Sequence, residues 1–309
     1  MLRYVLKRIL LLLPVLIGVT FITFTLLTIT PGDPAKAILG PSATEEAVQI
    51  KREELGLNDP FLVQYGRFMS NLVLHQDMGR SYRSKQPVFD IIMSAFPSTL
   101  KLAAFAVGIA VVLGVPLGVI SAIKQYSIFD NVALVLGLVG ISMPVFWLGM
   151  LLILAFSVHL HWLPSAGFST FKHMILPSIA LSAQSIAVIM RMTRSSMLEV
   201  IRQDYIGTAR AKGQKESVVI TRHALRNALM PIITTVGLQF GALLGGAVLT
   251  EAVFTIPGVG RLMVDSIKMN DFPVVQGGVL FIAVTFSFVN LLVDLLYASV
   301  NPRIRAQYK

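Results

Sequence analysis

The 309-residue chain is 55% hydrophobic and 14% charged, with a mean hydropathy of +0.74, whereas soluble domains carry roughly 25% charged residues. That balance excludes an ordinary soluble protein, and the lack of any cysteine excludes disulfide staples, thiolate metal sites and a cysteine nucleophile. The net charge of +10 would suggest nucleic acid in a soluble chain, but in a membrane chain it reads as Lys and Arg gathered in cytoplasmic loops.

Crossing roughly 30 Å of hydrocarbon takes about 20 apolar residues. Six runs of that kind occur, at 9–29, 102–123, 132–158, 174–190, 228–249 and 274–300, so the sequence predicts an all-α membrane protein of six transmembrane helices. The first run follows Arg3, Lys7 and Arg8 as in a signal peptide, and Ala35-Lys36-Ala37 resembles a cleavage site. Its 21 residues exceed the usual h-region of about 7–15, so a retained anchor is expected.

Residues 30–98 form a long polar segment with eight acidic and seven basic residues. Thr30-Pro31-Gly32-Asp33-Pro34 should stop the first helix. Asp59-Pro60 reads as an N-cap with Pro at the first helical position. Phe61, Leu62, Tyr65, Phe68, Met69, Leu72 and Val73 then form one apolar stripe at helical spacing. The stripe fits packing on the tops of the spans, and equally a docking surface for a soluble partner. Further on, Pro116, Pro144 and Pro231 are candidate kinks in the second, third and fifth spans.

Residues 191–227 are a second polar segment, with eight basic and three acidic residues. Asp204 can cap a helix over 205–212, and Gly213 can end it in the left-handed conformation. Asp204 and Lys212 sit at the favourable ends of its dipole. Between them Gly207, Thr208, Ala209 and Ala211 leave a nearly knobless surface, rimmed by Arg210 and Lys212. In the fifth span Gly237, Gly241 and Gly245 recur every four residues, a small-residue face for close helix approach or a polar path. Gln239 lies among them, and Gln184 lies in the fourth span. Both are candidate passage-lining residues, as are the three glycines.

Loop charge sets the direction. With the N-terminus inside, cytoplasmic pieces hold fifteen Lys and Arg against three in the two short outside loops, and the long first outside loop carries little weight. Both termini are expected in the cytoplasm, 30–98 outside and 191–227 inside.

No Gly-x-x-x-x-Gly-Lys-Ser/Thr, Gly-x-Gly-x-x-Gly, His-Glu-x-x-His or Gly-x-Ser-x-Gly occurs, so the chain carries none of the common nucleotide or hydrolase motifs. No catalytic residue and no metal site are expected. His159, His161 and His173 read as interfacial polar residues. Asn290 and Asp294 are one turn apart in the last span, where a carboxylate suggests either a proton relay or a partner for a loop arginine.

Nine segments in order then resemble one family, the first-type permease subunit of dipeptide, oligopeptide and nickel ABC importers. They begin with Thr30-Pro31-Gly32-Asp33-Pro34-Ala35, Leu55-Gly56-Leu57-Asn58-Asp59-Pro60 and Met143-Pro144-Val145-Phe146-Trp147-Leu148-Gly149. Arg191-Met192-Thr193-Arg194-Ser195-Ser196-Met197 follows. Asp204-Tyr205 with Thr208-Ala209-Arg210-Ala211-Lys212-Gly213 comes next, then His223-Ala224-Leu225-Arg226-Asn227-Ala228. The last three are Pro257-Gly258-Val259-Gly260-Arg261, Pro273-Val274-Val275-Gln276-Gly277-Gly278 and Asn301-Pro302-Arg303-Ile304-Arg305.

The resemblance implies a type I ABC importer permease fold in a bacterial or archaeal cytoplasmic (inner) membrane. It implies a heterodimer with a second, homologous permease, two cytoplasmic ATPases and an extracytoplasmic substrate-binding protein. ATP and Mg would sit on the ATPases, and this chain would bind no cofactor. The 204–213 segment would be the coupling helix of the wider family's Glu-Ala-Ala-x-x-x-Gly signature. Gly207, Thr208 and Ala209 occupy the Glu-Ala-Ala places and Gly213 the glycine, so the usual Glu is absent. A bare helix of this kind fits a groove on an ATPase, and Ala209→Glu is expected to break that docking. The cargo implied is a short peptide, with glutathione-like peptides, nickel complexes and oligosaccharides as family alternatives. The reading from another class is a secondary transporter that uses Asp294 for protons.

Overall fold

The computed structural model describes the backbone of residues 2–40 and 42–300 and the side chains of 10–40 and 42–296. Arg3, Lys7, Arg8, Arg303, Arg305 and Lys309, which enter the charge argument, lie outside the described side chains. The chain is helical, and among the described residues its β-structure is one isolated bridge, Arg80 to Pro87.

In chain order the helices are α1 (Leu2–Ile29), α2 (Pro34–Leu39), α3 (Glu45–Glu54), α4 (Phe61–Leu74) and α5 (Val88–Ile123). Next come α6 (Ile128–Ser142), α7 (Val145–Leu152) and α8 (Phe171–Ile201). They are followed by α9 (Asp204–Ala211), α10 (Glu216–Val218), α11 (Arg226–Val253), α12 (Val259–Lys268) and α13 (Phe272–Val300). Helix α7 continues as a π-helical turn, Ile153–His159, and a second π-helical turn, Val219–Leu225, joins α10 to α11.

Five of these are long and apolar enough to cross a membrane as continuous helices. The expected third span is instead two helices, bent by 102° at a short break. The break falls at Met143-Pro144, where proline cannot donate the next helical hydrogen bond and biases the residue before it out of the helical region. Met143 accordingly has ψ 123°, and Pro144 precedes α7. Pro116 and Pro231, the other candidate kinks, sit inside unbroken helices. The second and fourth spans are longer than their apolar runs. Helix α5 begins at Val88, inside the polar 30–98 segment, and α8 runs on to Ile201 through its polar end.

The bundle is held together by close helix approach. Helix α8 packs along most of α5 and also contacts α6, α7 and α11. At the α5–α8 crossing, a Cβ at Gly118 would lie 2.5 Å from the Met190 carbonyl oxygen, and one at Gly114 would lie 3.0 Å from that of Ile186. The small-residue face expected in the fifth span, Gly237, Gly241 and Gly245, lies elsewhere in the bundle. Their own contact is with α13: Gly237 faces Val293, Gly241 faces Phe286 and Val289, and Gly245 faces Ile282.

At one end of the bundle, α2 and α3 carry conventional caps. Asp33 Oδ1 accepts from Ala35 N at 3.0 Å, with Pro34 next to it, and Thr44 Oγ1 accepts from Ala47 N at 3.3 Å. Asp59 does not cap α4, which starts one residue later, after Pro60. Its carboxylate pairs with Arg67, and its carbonyl accepts from Gln64. The apolar stripe of α4 packs against α1 near that helix's C-terminal end. Phe61, Tyr65 and Phe68 stack edge-on or tilted against Phe21 and Phe24, and the Tyr65 hydroxyl lies 3.0 Å from Thr20 Oγ1. Leu62 and Val73 of the same stripe stay exposed.

Candidate functional site: a coupling surface and a membrane passage

At the opposite end of the bundle, α9 lies between the end of α8 and the start of α11. It spans Asp204–Ala211, one residue ahead of its expected bounds, and Gln203, not Asp204, occupies the cap position without a side-chain bond. Asp204 instead sits in the first turn, where a carboxylate still meets the positive end of the dipole. Gly213 takes φ +73°, as expected, and its N–H donates to the Arg210 carbonyl at 2.9 Å.

The i, i+3 pair Ile206 and Ala209 turns inward. Ile206 is fully buried and Ala209 is 8% exposed. Both join an apolar cluster with Ala122 of α5, Met197 of α8, Val219, Ile220 and Ala224 of the π-helical turn, and Ala228 and Ile232 of α11. Ala209 is therefore a packing residue of this chain. The outward face carries Tyr205, Gly207, Thr208, Arg210, Ala211 and Lys212. No atom from outside the helix lies within 4 Å of where a Gly207 side chain would start. Arg210 holds Glu216 with two hydrogen bonds, of 3.1 and 2.7 Å, and Gln214 reaches His223 at 2.7 Å. The rim of the bare helix is thus fixed in place while its crown is open.

Gln184 is exposed on α8 and Gln239 is half-buried on α11. They are on different helices, and neither makes a side-chain hydrogen bond among the described residues. His159, His161 and His173 do not come together: His173 Nδ1 lies 2.7 Å from Thr170 Oγ1, and no metal-holding group of three occurs among the described residues. Asp294 is half-buried on α13.

Three polar clasps went unread in the sequence. Asp130, 1% exposed, accepts two 2.8 Å bonds from Arg194, one from Ser121 and one of 3.0 Å from Tyr126 N, and so ties α5, α6 and α8 together. Glu251 is fully buried at the far end of α11. It accepts from Thr99 Oγ1 at 2.6 Å and from Arg261 N at 3.1 Å, and Thr99 accepts from Val259 N at 2.9 Å. Gly258 and Gly260 are glycine here because a side chain would collide with the Glu251 carboxylate or the backbone of Val248. Asp271 accepts from Ser81 Oγ at 2.5 Å and from Tyr82 N at 2.9 Å, which fastens the loop before α5 to the start of α13. Burial and then the Asp271 charge push the Tyr82 hydroxyl up to about 12. The available signal was position: each acid flanks an apolar run, and Glu251 stands just ahead of the Pro257–Arg261 motif.

A bundle of helices long and apolar enough to cross a membrane defines a helical membrane protein. Comparison with known proteins makes the class specific. Residues 114–306 match the binding-protein-dependent transport system inner membrane component, and residues 1–103 match its N-terminal membrane component. The chain belongs to this family of ABC importer permeases, which work with ATPase and binding-protein partners. It is 44% identical to the dipeptide transport system permease protein DppB of Alkalihalophilus pseudofirmus over 99% of this chain and 100% of that protein. It is 45% identical to the glutathione transport system permease protein GsiC of Escherichia coli (strain K12) over 99% of each. A chain of the MetNI methionine ABC transporter in an inward-facing conformation shares the fold at a TM-score of 0.56, with 18% identity. That likeness covers 69% of this chain and 97% of that one.

Proposed function

We propose that this chain forms half of a membrane passage for short peptides, paired with a second, homologous permease. Cytoplasmic ATPases that hold the ATP and Mg would drive it, and an extracytoplasmic binding protein would feed it. The observation that carries the cargo is identity of 44–45% across 99% of the chain to permeases named for a dipeptide and for the peptide glutathione. The fifteen-to-three loop charge supports placing the α9 end and both termini in the cytoplasm. In this reading the crown of α9 enters a groove on an ATPase, and Gln184 and Gln239 line the passage. The ATPases change its opening only through contacts that differ between their two states.

The test is co-expression with a second permease and two ATPases, purification by a tag on this chain, and an ATPase assay in proteoliposomes. Hydrolysis stimulated by binding protein loaded with a dipeptide, with uptake that stops on ATP depletion, supports the reading. Uptake that survives ATP depletion and collapses with the proton gradient would replace it with the secondary-transporter reading.

A further inference from the structure

Helix α8 is packed by its neighbours on one side, and the side it leaves uncovered carries polar residues together with Phe171, Ile179 and Met192. Gln184, Arg191, Ser195 and Arg202 are all exposed. They recur at intervals of seven, four and seven residues, and so lie on one face of the helix. Glu199, also exposed, stands beside them. A polar stripe on a membrane helix is costly against lipid and is found facing water or protein. Its lower part lines an open cavity of about 630 Å³, with Arg191, Arg194, Ser195, Glu199 and Arg202 on the α8 side and Leu134 of α6 opposite. That volume is within the ordinary range for small-ligand sites, about 300–1,000 Å³. Arg194 is engaged with Asp130. Among the described residues Arg191 and Arg202 have no ion-pair partner, and neither has Glu199.

We propose that this cavity is a binding site for a zwitterionic short peptide at the cytoplasmic mouth of the passage. Arg191 or Arg202 takes the terminal carboxylate and Glu199 takes the terminal ammonium group. The inference rests on the peptide-importer reading and adds a place and a polarity to it. Glu199 lies about 12 Å along the helix axis from Arg191 and about 4.5 Å from Arg202. An extended peptide of two or three residues spans about 7–10 Å, which these long side chains can bracket. One feature favours a peptide over a phospholipid headgroup: higher up, the stripe continues to Gln184, where an acyl chain would cover an amide without a hydrogen-bond partner.

The experiment uses the whole complex of two permeases and two ATPases in phosphatidylcholine nanodiscs, without binding protein, and equilibrium dialysis of labelled alanyl-alanine. The variants are Arg191→Gln, Arg202→Gln and Glu199→Gln, all at exposed positions that the fold does not use. Losing one charge-assisted bond predicts at least about a tenfold rise in apparent Kd. Alanyl-alanine amide should compete at least about tenfold less well, and lysine at the arginine positions should restore part of the affinity. Wild-type affinity in all three variants overturns the proposal, as does no binding at millimolar peptide. Displacement of the peptide by added phosphatidylglycerol, with that lipid retained by wild type and lost from the arginine variants, would assign the cavity to a headgroup instead. Binding-protein-driven uptake of alanyl-alanine, measured separately in proteoliposomes, distinguishes the two failures. Its persistence leaves the importer standing without this site, and its absence removes both.

Discussion

Charge placed on α9 should act in two different ways, depending on which face receives it. Ala209→Glu puts a carboxylate among Ile206, Val219, Ile220 and Ala224, where no cation is waiting. Burying a polar group without a partner costs about 2–7 kcal/mol, a large part of the 5–15 kcal/mol that separates folded from unfolded states. Ala211→Glu adds the same group to the exposed face and should change stability by less than about 0.5 kcal/mol. Both should abolish peptide uptake, for different reasons. In detergent, Ala209→Glu should show a lowered melting temperature and a poor yield. Ala211→Glu should melt with wild type but fail to retain the ATPases on an affinity column. If Ala209→Glu melts like wild type and loses only the ATPases, the inward seating of Ala209 is wrong. If Ala211→Glu keeps both the ATPases and uptake, the docking role of this face is wrong.

Asp130→Asn should cost about 1–3 kcal/mol by removing the carboxylate that holds the half-buried Arg194, read as a lowered melting temperature. Gly118→Ala forces a methyl against the Met190 carbonyl and should destabilise by about 1–3 kcal/mol. Gly207→Ala, in open space on an exposed helix, should stabilise by up to about 1 kcal/mol, so any loss of uptake there reports docking, not folding. Tyr82 has a raised folded-state value, so its contribution to stability is present below the ordinary tyrosine range and disappears as pH climbs towards about 12. An absorbance step near pH 12 in an alkaline titration should vanish in Tyr82→Phe and move to lower pH in Asp271→Asn.

Spans were legible because composition and length alone decide whether a run can sit in hydrocarbon. The bend at Pro144 was half legible: proline marks the place, but the angle comes from how α7 packs on α8 and α11. Helix α9 was legible in outline through Asp204, the small residues and Gly213. Which of its faces turns inward was not, because Ala209 and Ala211 are chemically identical and only the placement of the Val219–Leu225 turn tells them apart. The Thr99–Glu251 and Ser81–Asp271 bonds join residues 152 and 190 positions apart, a separation that no local pattern reports.

The seating of α9 also says how a push on it travels. Ile206 is fully buried in a cluster that joins the ends of α5, α8 and α11. If α9 slid alone it would uncover this side chain, at about 1.5–3 kcal/mol for an apolar residue of its size. Moving with the ends of α8 and α11 costs none of that burial. A displacement of α9 is therefore passed to the helices bearing Gln184 and Gln239 as long as the cluster stays packed. Ile206→Ala should cost about 2–5 kcal/mol, much of it at this joint, and Ile206→Val about 0.5–1.5 kcal/mol. In the assembled complex, the valine variant should keep its ATPases and hydrolyse ATP, yet move fewer peptides per ATP than wild type. Unchanged peptide uptake per ATP in Ile206→Val, and in any Ile206→Ala complex that assembles, would show that the joint is not how motion reaches the passage.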